Sequence, residues 1–174
     1  MRGYFGIGVE RLSKPQNAGN LFRSAHAFGA SFLFTIETDY AARAVHTDTS
    51  RSPNQVPLYE FPDLDSMQLP EGCQLVGVEL TEEAVELPSF RHPRQAAYVL
   101  GPERGSLSDA LVARCNHVVK IPTTFCINVA TAGAIVMYDR TISLGRFGRR
   151  AVFSRGPVEP LPEHVRGAQI FRKR

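Results

Sequence analysis

Apolar residues in this chain come in short unbroken runs and do not alternate with polar ones. Tyr4–Val9 (YFGIGV), Ser31–Ile36 (SFLFTI), Val56–Phe61, Gln74–Glu79 (QLVGVE), Ala96–Leu100 (AAYVL) and His117–Ile121 (HVVKI) are bounded by polar or turn-forming residues. Runs of this kind read as strands buried on both faces, the pattern of a parallel sheet covered by helices. Between them, Asn17–Gly29 repeats Leu21, Phe22, Ala25 and Phe28 at helical spacing, and Gly29 is a stop signal. Short helices are predicted over Asp63–Gln68 and over Ser108–Cys115, the second capped by Ser106 or Ser108. A long helix is predicted over about 126–144, and residues 37–54 read as polar and turn-rich. The order predicts one α/β domain, a mostly parallel sheet flanked by helices. It is expected to occupy 1–150. Residues 151–174, with Pro157, Pro160 and Pro162 and few large apolar side chains, read as a tail.

In open parallel sheets ligands gather where strands end at their carboxyl side. The loops KPQNAGN, ELTEE, GPERGS and PTTFCIN sit at such ends. Three stretches there could carry chemistry. In NAGNLFR, Asn17 is placed to cap a helix and Arg23 lies among apolar neighbours, so its guanidinium needs a partner or water. A carboxylate reached along the helix surface would satisfy it equally well. In LGPERGS, Gly101 and Gly105 allow a ligand close to the backbone, and Glu103 could pair with an arginine across a site. An ordinary strand-to-helix turn with a surface Glu fits the same residues. In IPTTFCINVATAG, Pro122 ends a strand, Asn128 falls near a helix start, and Ala130, Ala132, Gly133 and Ala134 form a face that another backbone can approach. A helix cap and tight helix packing also explain these features.

Composition narrows the classes. Cys73, Cys115 and Cys126 form no CxxC pair and the five histidines show no metal-ligand spacing, so neither a disulfide framework nor a zinc site is indicated. There is no Walker lysine and no GxGxxG, which weakens ATPase and nicotinamide readings. No apolar run reaches the length of a membrane span, and the N-terminus lacks a signal-peptide pattern. A reduced, cytoplasmic, metal-free protein without a membrane partner is expected. Charge is uneven: residues 140–174 carry +7 and residues 1–139 carry −4. A basic tail on a slightly acidic body suggests a polyanion partner, although a solvated terminus would look the same.

Taken in order, N-x-G-x-x-x-R from Asn17 to Arg23, G-x-E-x-G from Gly101 to Gly105, and I-P followed by N-V-x-x-A at Asn128 resemble the three signature motifs of the SPOUT-superfamily RNA 2′-O-methyltransferases, TrmH (SpoU) branch. The likeness covers roughly residues 4–147, and the small size looks most like the minimal members that act on the tRNA wobble position. The resemblance implies a deep trefoil knot in the C-terminal half, a homodimer, and S-adenosylmethionine held by Glu79, Gly101, Gly105, Ile121, Cys126 and Ile127, largely through backbone groups. Relatives often carry an apolar residue at the Glu79 position, which a backbone contact would tolerate. The expected reaction is methyl transfer to a ribose 2′-hydroxyl of RNA, tRNA before rRNA. Arg23 is expected as base or as a positioning group, with Asn17 and Glu103 fixing it and the loop, and Asn128 orienting substrate or cofactor loop. Arg23, Arg146, Arg149 and Arg150 are expected to contact RNA. Ala130 and Cys126 stand where relatives commonly have Ser; Cys126 is expected to be a small packing residue. The competing expectations are a non-catalytic RNA-binding member of the same fold and a general nucleotide-binding enzyme, the latter disfavoured by the missing phosphate loop.

Overall fold

The computed structural model describes residues 3–39, 48 and 51–145. Seven strands form one sheet: β1 Tyr4–Glu10, β2 Phe32–Ile36, β3 Leu58–Phe61, β4 Gln74–Val78, β5 Val85–Glu86, β6 Gln95–Leu100 and β7 His117–Lys120. Their order across the sheet is β3-β2-β1-β6-β4-β7-β5, and every pairing is parallel. The unbroken apolar runs are explained by two core layers. Ile7, Val9, Leu33, Val76 and Tyr98 face one layer, and Phe34, Ile36, Leu75, Ala97 and Val99 face the other.

Helix α1 (Pro15–Phe28) and helix α3 (Val129–Leu144) cover the first layer, and the short helix α2 (Asp109–Arg114) covers the second. α1 ends at Gly29, whose left-handed φ of 77° lets its N–H return to Ala25 and His26. The small residues of α3 are accounted for by α1. A Cβ on Gly133 would lie 2.2 Å from Leu21 Cδ1, so any larger residue there would force the Leu21 side chain to move.

Three expectations are corrected. Asp63–Gln68 is a turn and not a helix: Asp63 Oδ1 accepts from Ser66 N at 2.7 Å and Ser66 Oγ donates to Asp63 O, side-chain bonds that compete with a helical ladder. α1 starts earlier than expected, because Pro15 is already fixed at a helical φ; the cap position is Lys14 and not Asn17. α3 starts at Val129 and not at 126, since Asn128 takes the cap with an extended backbone. Of the two proposed caps for α2, Ser108 is the one used, accepting from Leu111 N.

The far end of α3 is fixed by a buried cation. The Arg140 guanidinium, 5% exposed, donates to the carbonyls of Tyr4, Pro93 and Arg94 and to Tyr98 Oη. His92 Nε2 lies 2.9 Å from the accepting Asp139 carboxylate, and in the neutral ring Nδ1 then accepts from Tyr98 Oη, 2.6 Å away. The neutral ring is the favoured form. Burial pushes its pKa down, and Asp139 only partly opposes this. A group depressed in the fold contributes stability above its unfolded pKa of about 6.5 and loses it as the pH falls. Urea unfolding between pH 7.5 and 5.5 should therefore show a loss of stability in the wild type that is smaller in His92→Gln; parallel losses would contradict a neutral buried His92.

Candidate active site

The carboxyl ends of β4, β6 and β7 open into one cavity of about 310 Å³. Its wall includes Glu79, Gly101, Gly105, Ile121, Cys126 and Ile127, together with Asn17, Glu103 and Asn128. The six expected cofactor-wall residues and three of the four expected catalytic ones are thus brought together from four segments. The volume is within the range of small-molecule sites, about 300–1,000 Å³. The lining is mixed: Val78, Leu80, Leu100, Ile121 and Ile127 supply apolar surface, while amide and carboxylate groups supply polar atoms.

Glu103 organises the polar side. Its carboxylate accepts from Ser13 N at 3.3 Å, Ser13 Oγ at 3.0 Å, Lys14 N at 3.1 Å and Asn17 Nδ2 at 2.7 Å. A carboxylate has about four acceptor sites, and here all are engaged. Burial pushes the Glu103 carboxyl up, but hydrogen bonds from its own amide, Asn17 and Ser13 outweigh it and hold it below the usual range. It is an anion at the N-terminus of α1, where the exposed amides and the helix dipole favour negative charge. With no acceptor site left over, Glu103 is built to hold parts together and not to take a proton.

Asn17 passes the connection on. Its Oδ1 accepts from Asn128 Nδ2 at 3.0 Å, and Asn128 Oδ1 accepts from Ala130 N at 2.9 Å and Thr131 N at 3.3 Å. Asn128 thus caps α3 and also lines the cavity. One hydrogen-bonded chain, Glu103–Asn17–Asn128, joins the loop after β6, the start of α1 and the start of α3.

Two further carboxylates hold the same loop. Glu79 accepts from Leu107 N at 2.8 Å and from Leu80 N at 2.9 Å. Glu10, 1% exposed at the end of β1, accepts from Ser108 N at 2.8 Å and from Ser108 Oγ. The loop folds back on itself here: a Cβ on Gly101 would come within 3.0 Å of Leu107 N, so a side chain would crowd the turn. Sequence reasoning missed Glu10, Ser13 and Lys14. A lone acid closing an apolar strand was the available signal for Glu10; nothing marked the other two, which act through backbone amides and one hydroxyl.

Two local expectations, for Arg23 and Cys126, are not met. Arg23 is exposed on α1, does not line the cavity, and makes no hydrogen bond or ion pair with the described residues, so neither the carboxylate partner nor the link to Asn17 and Glu103 is present. It lies about 9 Å beyond Asn17 along the helix axis at 1.5 Å per residue. Cys126 is exposed at the cavity and is not a packing residue. Arg146, Arg149, Arg150 and the segment 151–174 lie outside the described residues. Among the described residues no group of three His, Cys, Asp or Glu could hold a metal ion, and no helix is long and apolar enough to cross a membrane.

Comparison with known proteins fits this geometry. The model of the SpoU rRNA Methylase family matches residues 5–138. The mouse tRNA (guanosine(18)-2′-O)-methyltransferase is 29% identical over 75% of this chain, and the Escherichia coli K12 enzyme of the same name is 20% identical over 76%. The chain spans only 9% of the length of the first and 61% of the second. Among solved structures, an S-adenosylmethionine-bound rRNA methyltransferase from Sinorhizobium meliloti is 21% identical with a TM-score of 0.74, covering 84% of this chain and 59% of that one; this shows the fold. A structure described as giving insight into 2-OH methylation of C/U34 on tRNA is 25% identical with a TM-score of 0.69, covering 82% of this chain and 91% of that one. With Asn17, Glu103 and Asn128 gathered on one cavity and a family match over residues 5–138, the chain belongs to the SpoU rRNA Methylase family.

Proposed function

We propose that this protein transfers a methyl group from S-adenosylmethionine to a ribose 2′-hydroxyl of RNA, with tRNA as the favoured substrate. The observation that carries the reading is the convergence of Glu103, Asn17 and Asn128 with the expected cofactor wall on one cavity. The fit is chemical as well as positional. A nucleoside joined to an amino acid needs apolar surface for its base and polar groups for its edges, and the cavity offers both. The tRNA preference draws on the tRNA methyltransferase relatives and on the 25%-identical structure concerned with tRNA position 34.

The bound cofactor supplies an activated methyl group for in-line displacement. The chain's task is to hold the reacting atoms in line and to exclude other geometries, which alone lowers such barriers substantially. The Glu103–Asn17–Asn128 chain fixes the three walls around the reacting centre. We assign Arg23 the role of positioning the acceptor's phosphate and hydroxyl through the fixed fork of its guanidinium; the hydroxyl proton leaves to RNA phosphate or water.

Arg23 does not line its own chain's cavity, which is explained if two copies assemble and it serves the partner's site. A homodimer is also supported by Thr131, Ile135 and Tyr138, which form an exposed stripe on α3 spaced for helix-to-helix contact, with Ile135 37% and Tyr138 52% exposed. The reading further includes a deep trefoil knot built from the crowded loops after β4, β6 and β7, phosphate contacts from Arg146, Arg149, Arg150 and the tail, and a cytoplasmic location.

Three measurements test this. Wild type should transfer label from S-adenosylmethionine into bulk tRNA, and Arg23→Ala should reduce the rate by roughly 10²-fold. If Arg23 acts across a dimer, mixing Arg23→Ala with Glu103→Gln, each inactive alone, should restore up to about a quarter of wild-type activity, since half the dimers would own one intact site. No restoration would put Arg23 in its own chain's site. Separately, deleting 151–174 should weaken RNA binding, most at low salt, and flatten its salt dependence; unchanged affinity and slope would remove the tail from the RNA contact.

A further inference from the structure

We infer that Glu79 is a positioning residue for the cofactor and that it acts through its side chain. This rests on the cofactor reading above and adds a determinant to it that the backbone-contact expectation omits. Glu79 is the first residue beyond β4, and its own N–H still donates to Val119 O on β7 at 2.9 Å, so its backbone is anchored in the sheet. Its carboxylate then spans two loops. Oε1 accepts from Leu80 N on the β4 side, and Oε2 accepts from Leu107 N on the β6 side. Leu80, Glu79, Gly101 and Gly105 all line the cavity, so these two bonds set the separation of two of its walls.

The side chain matters because of what Leu107 does. Its side chain is buried in the core layer under α2, while its amide lies over Gly101. An amide at that bend has no ladder partner of its own. Charge-assisted acceptance by a carboxylate is about twice as strong as a neutral bond. An apolar residue at position 79 would leave both amides to water and the loop free to spread. Glutamine could serve only one of the two amides, since its other terminal atom is a donor. Glu79 therefore holds the 101–107 loop in its ligand-ready position before a ligand arrives, which reduces the ordering cost of binding.

The test uses the full-length protein with Glu79→Gln and Glu79→Leu. Cofactor affinity is measured by calorimetry with S-adenosylmethionine and with S-adenosylhomocysteine, and amide exchange is followed without ligand. We expect the glutamine variant to bind both ligands about tenfold more weakly (1.4 kcal/mol) and the leucine variant more weakly still. Leu80 and Leu107 amides should exchange faster while β4 and β6 amides keep their protection. The KM for cofactor should rise while kcat at saturation stays within about twofold, because the role is in uniform binding. Equal affinity in wild type and variants, or exchange that accelerates throughout β4 and β6, would overturn the inference and leave the cofactor reading standing. A wild type that binds neither ligand would overturn the cofactor reading and this inference with it.

Discussion

The site depends on satisfying the backbone of one loop. Where β6 ends, the chain leaves the sheet, doubles back over Gly101 and must present its amides to something other than a neighbouring strand. Carboxylates meet that demand. Glu10 and Glu79, at the ends of β1 and β4, receive the amides of Ser108 and Leu107; Glu103, within the loop, receives those of Ser13 and Lys14 at the start of α1. Each bond joins segments far apart in sequence. An unpaired buried amide costs about as much as a lost hydrogen bond, so the loop has one well-satisfied arrangement, and the cavity is its consequence.

The opposite end of the molecule solves a related problem with the opposite charge. Arg140 gathers backbone carbonyls at the amino ends of β1 and β6 and ties the last turns of α3 to them. α3 is thus fixed at both ends, by Asn128 at the cavity and by Arg140 below, with Gly133 allowing α1 to lie close between them. The face left over carries Ile135 and Tyr138 outward. Stability and chemistry are therefore kept at separate ends of the same helix.

Much of the fold was legible because its signals are local. Continuous apolar runs gave six of the seven strands, and Gly29 gave the end of α1. The two-residue strand β5 was not legible, since Val85 and Glu86 gain strand character only from pairing with β7. Asp63–Gln68 misled because Asp63 and Ser66 bond each other in a turn. At the site, Asn17, Glu103 and Asn128 were found through their motifs, but the local cap reading of Asn17 hid its place in the middle of a bridge. Glu10 was hidden because a buried carboxylate at a strand end is defined by a partner 98 positions away. Arg23 fitted a motif, but a motif fixes sequence spacing and not which way a helix faces.

The central claim is that Glu103, Asn17 and Asn128 act as one unit in shaping the cofactor cavity. A double-mutant cycle with Glu103→Gln and Asn128→Ala, read as S-adenosylmethionine affinity, tests it most directly. Breaking the chain at either end should do most of the damage, so the double variant should lose less than the sum of the single losses by about 1 kcal/mol or more. Losses that add within about 0.3 kcal/mol would mean that the two residues act independently, and would contradict the account.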